Sequence, residues 1–251
     1  MPADLYLSGS ATLLASFEAY ARGADGADGA AVIRAPGVAA AVFPDLPERA
    51  VYNNALLDRD LGASERAEAI DAMQAAYAAG GVDRFAAWVH ETDGALRADL
   101  EARGYTLDTT TRAMGMALDD LAGAPPELEL DPPEWPAYVA WLESVGVPPG
   151  LLAGADPREF HLLIARGAVA TALAFDFGDD CGIYNVGTLE HARRRGLGTA
   201  LTARLLHDAR ARGRRTASLQ ATAMAERLYA ALGFRDLGRI LEFTPGPPSG
   251  W

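Results

Sequence analysis

The sequence predicts a mixed α/β fold laid out in two successive parts. Short apolar runs rich in β-branched and aromatic residues alternate with Ala/Leu-rich helical patterns along the whole chain, which excludes a helical bundle or an all-β sandwich. The Pro/Gly stretch Leu121 to Pro126 separates two segments that are each dense in such signals. The ends of the two segments also echo each other. Residues 96–105 (LRADLEARGY) and 225–234 (AERLYAALGF) are both helical patterns closed by Gly and an aromatic, at a spacing of 129, which points to duplication. The expected domains are therefore residues 1–122 and 126–251.

In the first part a helix is expected over 9–22, then strands over 30–34 and 38–43 joined by the turn-like Ala35-Pro36-Gly37. A third strand, Val51 to Leu57, precedes an Ala-rich helix over 64–79. A strand from Phe85 to His90, a helix over 94–103 stopped by Gly104, and a strand over 105–117 complete it. The second part repeats the order. Strand 127–130 and helix 134–145 lead to strands 160–166, 168–176 and 181–188, then helix 196–212. Strand 216–222, a helix over 223–232 stopped by Gly233, and strand 234–243 follow.

With 251 residues, half of them hydrophobic, the chain can bury a sizeable core. A net charge of -12 argues against nucleic acid and anionic membranes as partners. All 22 basic residues are Arg, so Schiff-base and P-loop lysine chemistry are excluded. A lone Cys181 and four scattered His offer neither a disulfide nor zinc-ligand spacing, so no metal is expected. No basic leader with an apolar core and no run of 18 apolar residues occurs, which gives a cytoplasmic protein as the expectation.

One segment departs from the acidic background: residues 193–215 hold eight Arg and one acid, Asp208. The strand pattern ending at Thr188 runs through a short loop into Arg193-Arg194-Arg195-Gly196-Leu197-Gly198-Thr199, where a helix begins. A helix start leaves backbone N–H groups unpaired at the positive end of the dipole, and glycines let a phosphate approach them closely. A plain basic helix start would read the same way. A dinucleotide site is excluded more firmly, because the sixth position of Gly-x-Gly-x-x-Gly is Leu201 here and the preceding loop is long.

Arg193-x-x-Gly196-x-Gly198 after that strand resembles the acetyl-coenzyme A signature of the GNAT superfamily of N-acetyltransferases. Downstream, Thr222-x-x-Ala225-x-x-Leu228-Tyr229-x-x-x-Gly233-Phe234 resembles the family's second marker, with Thr where Asn is usual; either residue can cap a helix. The resemblance covers about 120 residues and implies two GNAT-like domains, each a mixed, mostly antiparallel twisted sheet flanked by helices. It implies that the backbone at Val186 and Thr188 pairs with pantetheine and that the amides from Arg194 through Thr199 hold the pyrophosphate. Arg193 either joins that cradle or braces its loop, and Arg194 and Arg195 face a phosphate or solvent. Tyr229 is implied as the general acid for the departing thiolate. Acetyl-coenzyme A is the implied cosubstrate and an amine the implied acceptor, and a homodimer is compatible with the sequence. A non-catalytic acyl-coenzyme A-binding protein is the alternative.

No carboxylate occupies residues 182–184, where family members often carry a base. Asn185 can position an acceptor or a water, whereas Asp179, Asp180, Glu190 and His191 only flank the strand; a water relay is the preferred expectation. In the first part, Arg59-Asp60-Leu61-Gly62-Ala63-Ser64 faintly resembles the cradle, but its acids repel phosphate and Leu100 stands where Tyr229 would. That part is expected to be a degenerate, non-catalytic domain.

Overall fold

The computed structural model describes residues 4–23, 29–45, 52–147, 152 and 154–246. The chain forms two compact units, one of residues 1–23 with 113–237 and one of residues 24–112 with 238–251. They are not the linear domains 1–122 and 126–251 expected from the Pro/Gly stretch. Each unit takes one terminal element from the opposite end of the sequence, because strand pairing is decided by tertiary packing and not by proximity along the chain.

The smaller unit contains β1 (Ala31–Ala35), β2 (Val38–Val42), β3 (Asn54–Leu57), α2 (Ala63–Ala79), β4 (Ala86–His90) and α3 (Gly94–Ala102). Its β1, β2 and β3 pair antiparallel, β3 and β4 parallel, and β4 pairs antiparallel with β11 (Arg235–Pro245) through residues 240–243. The expected start of the third strand, Val51, lies outside the described residues. Tyr77, Phe85, Ile70 and Phe243 centre its core.

The larger unit holds α1 (Leu5–Gly23), the end of β5 (Tyr105–Ala117), β6 (Leu130–Asp131), α4 (Trp135–Ser144), β7 (Phe160–Ala165), β8 (Ala170–Phe177) and β9 (Asp180–Thr188). It continues through α5 (Leu197–Ala211), β10 (Thr216–Ala221) and α6 (Glu226–Ala231). Strand order is β5, β10, β9, β8, β7, β6. The strands β6 to β9 pair antiparallel, while β9 and β10 pair parallel across α5. The unit thus repeats the arrangement of the smaller one, in which β3 and β4 are parallel across α2. At β6 only Leu130 and Asp131 pair, fewer residues than expected, because prolines at 125, 126, 132 and 133 remove ladder donors on both sides.

Two faces of the larger unit's sheet differ in chemistry. Ala170, Ala172, Ala174, Cys181, Ile183, Ala217 and Leu219 pack against Leu201, Leu205, Leu206 and Ala209 of α5. The opposite face carries Ser218, Thr216 and Thr171 and receives α1, where a Cβ on Gly9 would sit 2.8 Å from that of Ser218. Buried Asp180 accepts from Thr216 Oγ1 (2.7 Å) and Ser218 Oγ (2.6 Å), which satisfies two hydroxyls inside this interface.

Candidate active site

The site is built where β9 and β10 part. Their parallel ladder joins residues 180–182 to 216–218, yet both strands run on, and β9 is only half-buried from Tyr184 to Thr188. In that stretch β9 contains a bulge. Leu173 faces Tyr184 and Thr171 faces Gly187 across the β8 ladder, so Asn185 and Val186 oppose one residue. Asn185 takes up the bulge with a left-handed φ of 49°, a conformation Asn tolerates better than most residues.

A bulge inverts which side chains face which way. Before it, Cys181 and Ile183 face α5; after it, Val186 does, together with Thr188. The point they face is Gly198. A Cβ built there would lie 3.6 Å from Val186 Cγ1, 3.8 Å from Leu228 Cδ1 and 3.9 Å from Thr188 Oγ1. Residues from both sequence markers therefore meet at a single glycine.

The helix start beside it is open. Gly196 is the N-cap with φ 75° and no side chain to cap with, and the first intrahelical bond runs from Ala200 N–H to the Gly196 carbonyl at 2.9 Å. The amides of Leu197, Gly198 and Thr199 precede that ladder, the pattern that suits an anion. Arg194 also has a left-handed φ of 62°. Arg193 Nε donates to the Thr188 carbonyl at 3.2 Å, tying the loop to the end of β9. Arg194 and Arg195 are exposed. Thr202 Oγ1 donates back to the Gly198 carbonyl at 2.9 Å.

On the other side, α6 is shorter than the expected 223–232. Ala225 is its N-cap, and exposed Thr222 contributes its carbonyl, which accepts from Ala225 N–H at 2.8 Å and Glu226 N–H at 3.2 Å; its side chain caps nothing. Tyr229 is buried at 7% exposure, and that burial pushes its hydroxyl up to about 12. Among the described residues its hydroxyl has no hydrogen-bond partner.

The structure sorts the flanking acids and His as well. Asp180 is committed to Thr216 and Ser218, while the side chains of Asp179, Glu190 and His191 are exposed. No group of His, Cys, Asp and Glu that could hold a metal occurs among the described residues, and no helix among them is long and apolar enough to cross a membrane. Two residues that sequence reasoning missed also border the bulge: Tyr138 and Trp141 of α4, beside Asn185 and Gly187. Asn and Gly flanking one strand residue were the available signal.

Residues 116–234 match the model of the acetyltransferase (GNAT) family. A GCN5-related N-acetyltransferase from Kribbella flavida superposes over 100% of this chain and 98% of its own, with a TM-score of 0.69 at 19% identity. A GCN5-related N-acetyltransferase from Sphaerobacter thermophilus covers 98% and 96% at TM-score 0.57 and 16% identity. A tandem GNAT protein from the clavulanic acid biosynthesis pathway covers 78% and 76% at TM-score 0.51 and 16% identity. At such identities these are likenesses of fold. No curated protein matches the chain. The segment 116–234, which carries the β9 bulge, the open helix start and Tyr229, is the part of the chain that matches the acetyltransferase (GNAT) family.

Proposed function

We propose that the larger unit is an acetyl-coenzyme A-dependent N-acetyltransferase acting on a primary amine of a small molecule or peptide. The observation that carries the reading is the convergence of Val186, Thr188 and Leu228 on Gly198 beside uncapped helix amides. A Cβ at Gly198 meets only ordinary van der Waals neighbours, so the fold itself does not demand glycine there; a ligand passing close to the backbone does. Val186 and Thr188 would offer strand backbone to pantetheine, and the amides from Arg194 to Thr199 would hold the pyrophosphate.

Tyr229 is assigned the acid role with one refinement. At about 12, its hydroxyl is a weaker acid than an ordinary phenol. Full transfer to a thiolate of ordinary pKa near 8.5 is uphill by about 5 kcal/mol. The group therefore serves first as a proton-bearing donor to sulfur charge that develops as the C–S bond breaks, and it releases the proton late. The amine proton leaves through water, since Asp180 is engaged elsewhere.

The smaller unit is read as a degenerate, non-catalytic counterpart. At its matching helix start, Glu65 accepts from the Gly62 N–H at 2.7 Å, so a carboxylate already sits where a phosphate would bind. Gly198→Ala tests the site. The protein should remain as stable as wild type while coenzyme A affinity, measured by titration calorimetry, falls at least about tenfold. Unchanged affinity removes the assignment. Thiol release from acetyl-coenzyme A across a panel of amines, amino acids and peptide N-termini tests the transfer itself.

A further inference from the structure

We propose that Tyr138 and Trp141, one turn apart on α4, form a clamp that sets the β9 bulge and so positions the strand backbone for coenzyme A. The inference rests on the coenzyme A reading above and adds to it two positioning residues from outside both sequence markers.

The bulge has two flanks, and α4 touches each. On one side, Asn185 Nδ2 donates to the Tyr138 hydroxyl at 3.0 Å, which fixes the residue that carries the left-handed φ of 49°. Tyr138 is fully buried and its ring packs on Trp135 at 5.3 Å, so the hydroxyl is held on a rigid support. On the other side, Gly187 lies against the end of the Trp141 ring; a Cβ there would be driven into Cη2. Trp141 is itself buried at 7% exposure. Between these two grips sits Val186, whose side chain points the opposite way, toward Gly198.

The alternation of the strand makes this arrangement consequential. Alternation puts Asn185 and Gly187 on one face and Val186 and Thr188 on the other, and the bulge makes the second pair the one that faces Gly198. Without the bulge, Val186 and Thr188 would turn from the cradle toward α4. A strained single-residue bulge persists only where its surroundings over-determine it, and here one hydrogen bond and one steric stop supply that from a single helix. The residue pair Asn185 and Gly187 fits the clamp: Asn supplies both the amide donor and tolerance of left-handed backbone, and Gly supplies the missing Cβ.

Titration of the full chain with coenzyme A, alongside thermal unfolding, tests the clamp. Gly187→Ala should weaken binding at least about tenfold, as small displacements of a binding backbone do. Trp141→Phe withdraws the ring end that faces Gly187, so the double variant Trp141→Phe with Gly187→Ala should regain the affinity of Trp141→Phe alone. A role in packing alone moves the melting temperature of these variants and leaves the coenzyme A affinity of each folded one at the wild-type value. Should Gly187→Ala not unfold cooperatively, Tyr138→Phe decides instead: it keeps the ring, removes the hydroxyl and should bind coenzyme A at least about tenfold more weakly. Folded Gly187→Ala with wild-type affinity, a double variant no better than Gly187→Ala, or Tyr138→Phe with wild-type affinity overturns the clamp. Wild-type protein that binds no coenzyme A overturns instead the functional reading beneath it.

Discussion

Phe234 packs edge-on against Tyr229, ring centroids 5.9 Å apart at 70°, and its N–H donates to the Tyr229 carbonyl at 3.1 Å. Gly233, at φ 100°, adds a bond from its own N–H to the Ala230 carbonyl at 3.1 Å. Together these form a paired-bond helix stop in which a left-handed glycine lets the next residue fold back onto the last turn. The second sequence marker therefore has a physical content: the Gly and Phe hold the tyrosine ring in place.

Tyr229→Phe keeps that ring and its packing on Phe234 and removes the hydroxyl alone. Turnover should fall about 10²–10⁴-fold with coenzyme A affinity unchanged. Steady-state kinetics beside calorimetry checks this, and a variant with wild-type turnover would refute the donor role.

Gly233→Ala places a Cβ at ordinary contact distance, 3.5 Å from Met116 Cε, so the cost is conformational. Forcing a left-handed alanine should destabilise by about 1–2 kcal/mol. A thermal shift of roughly 2–8 °C downward is expected. No shift would mean that the helix stop has relaxed around the substitution.

Asp176 predicts acid sensitivity. Burial alone would raise its carboxyl, but hydrogen bonds from His161, Arg212 and Cys181 outweigh burial and hold it well below the usual carboxylate range. The Arg212 contacts are bidentate, at 2.8 and 2.9 Å. Because the folded pKa is depressed below an unfolded value of about 3.9, the stabilisation is present above that pH and is lost as pH falls toward the folded value. Asp176→Asn should be less stable than wild type at pH 7, with the difference narrowing on acidification toward pH 3. A gap in melting temperature that stays constant over that range would contradict the account.

Cutting the chain at the Pro/Gly stretch should not release a working domain. Residues 126–251 lack β5, the neighbour of β10, and lack α1, which covers β8, β9 and β10. That fragment should show no cooperative melting and no coenzyme A binding. A fragment that melts cooperatively would place β5 and α1 outside the essential core.

Much of this was legible in the sequence because it is local. Gly196, Gly198, Gly233 and Phe234 mark helix ends, and helix ends are governed by residues within one turn of each other. The α/β alternation was equally readable from apolar periodicity. The membership of α1 and the terminal strands was not, since an apolar strand pattern fits any sheet edge and nothing near Leu121 to Pro126 records which edge each strand takes. The bulge escaped for a related reason: Asn185 and Gly187 announce irregular backbone, but its direction is set by Tyr138 and Trp141, more than 40 residues upstream. At Thr222 the carbonyl, not the side chain, accepts the N–H groups of the turn that follows, and residue type alone does not separate the two.

The exchange of terminal elements has a consequence for biosynthesis. During synthesis α1 precedes β10 and α6, with which its unit is completed, and the smaller unit waits for residues 240–243 of β11 to close on β4. Neither unit is built from one contiguous stretch of chain, so each is completed only by a pairing of high sequence separation, α1 on β10 in one and β11 on β4 in the other.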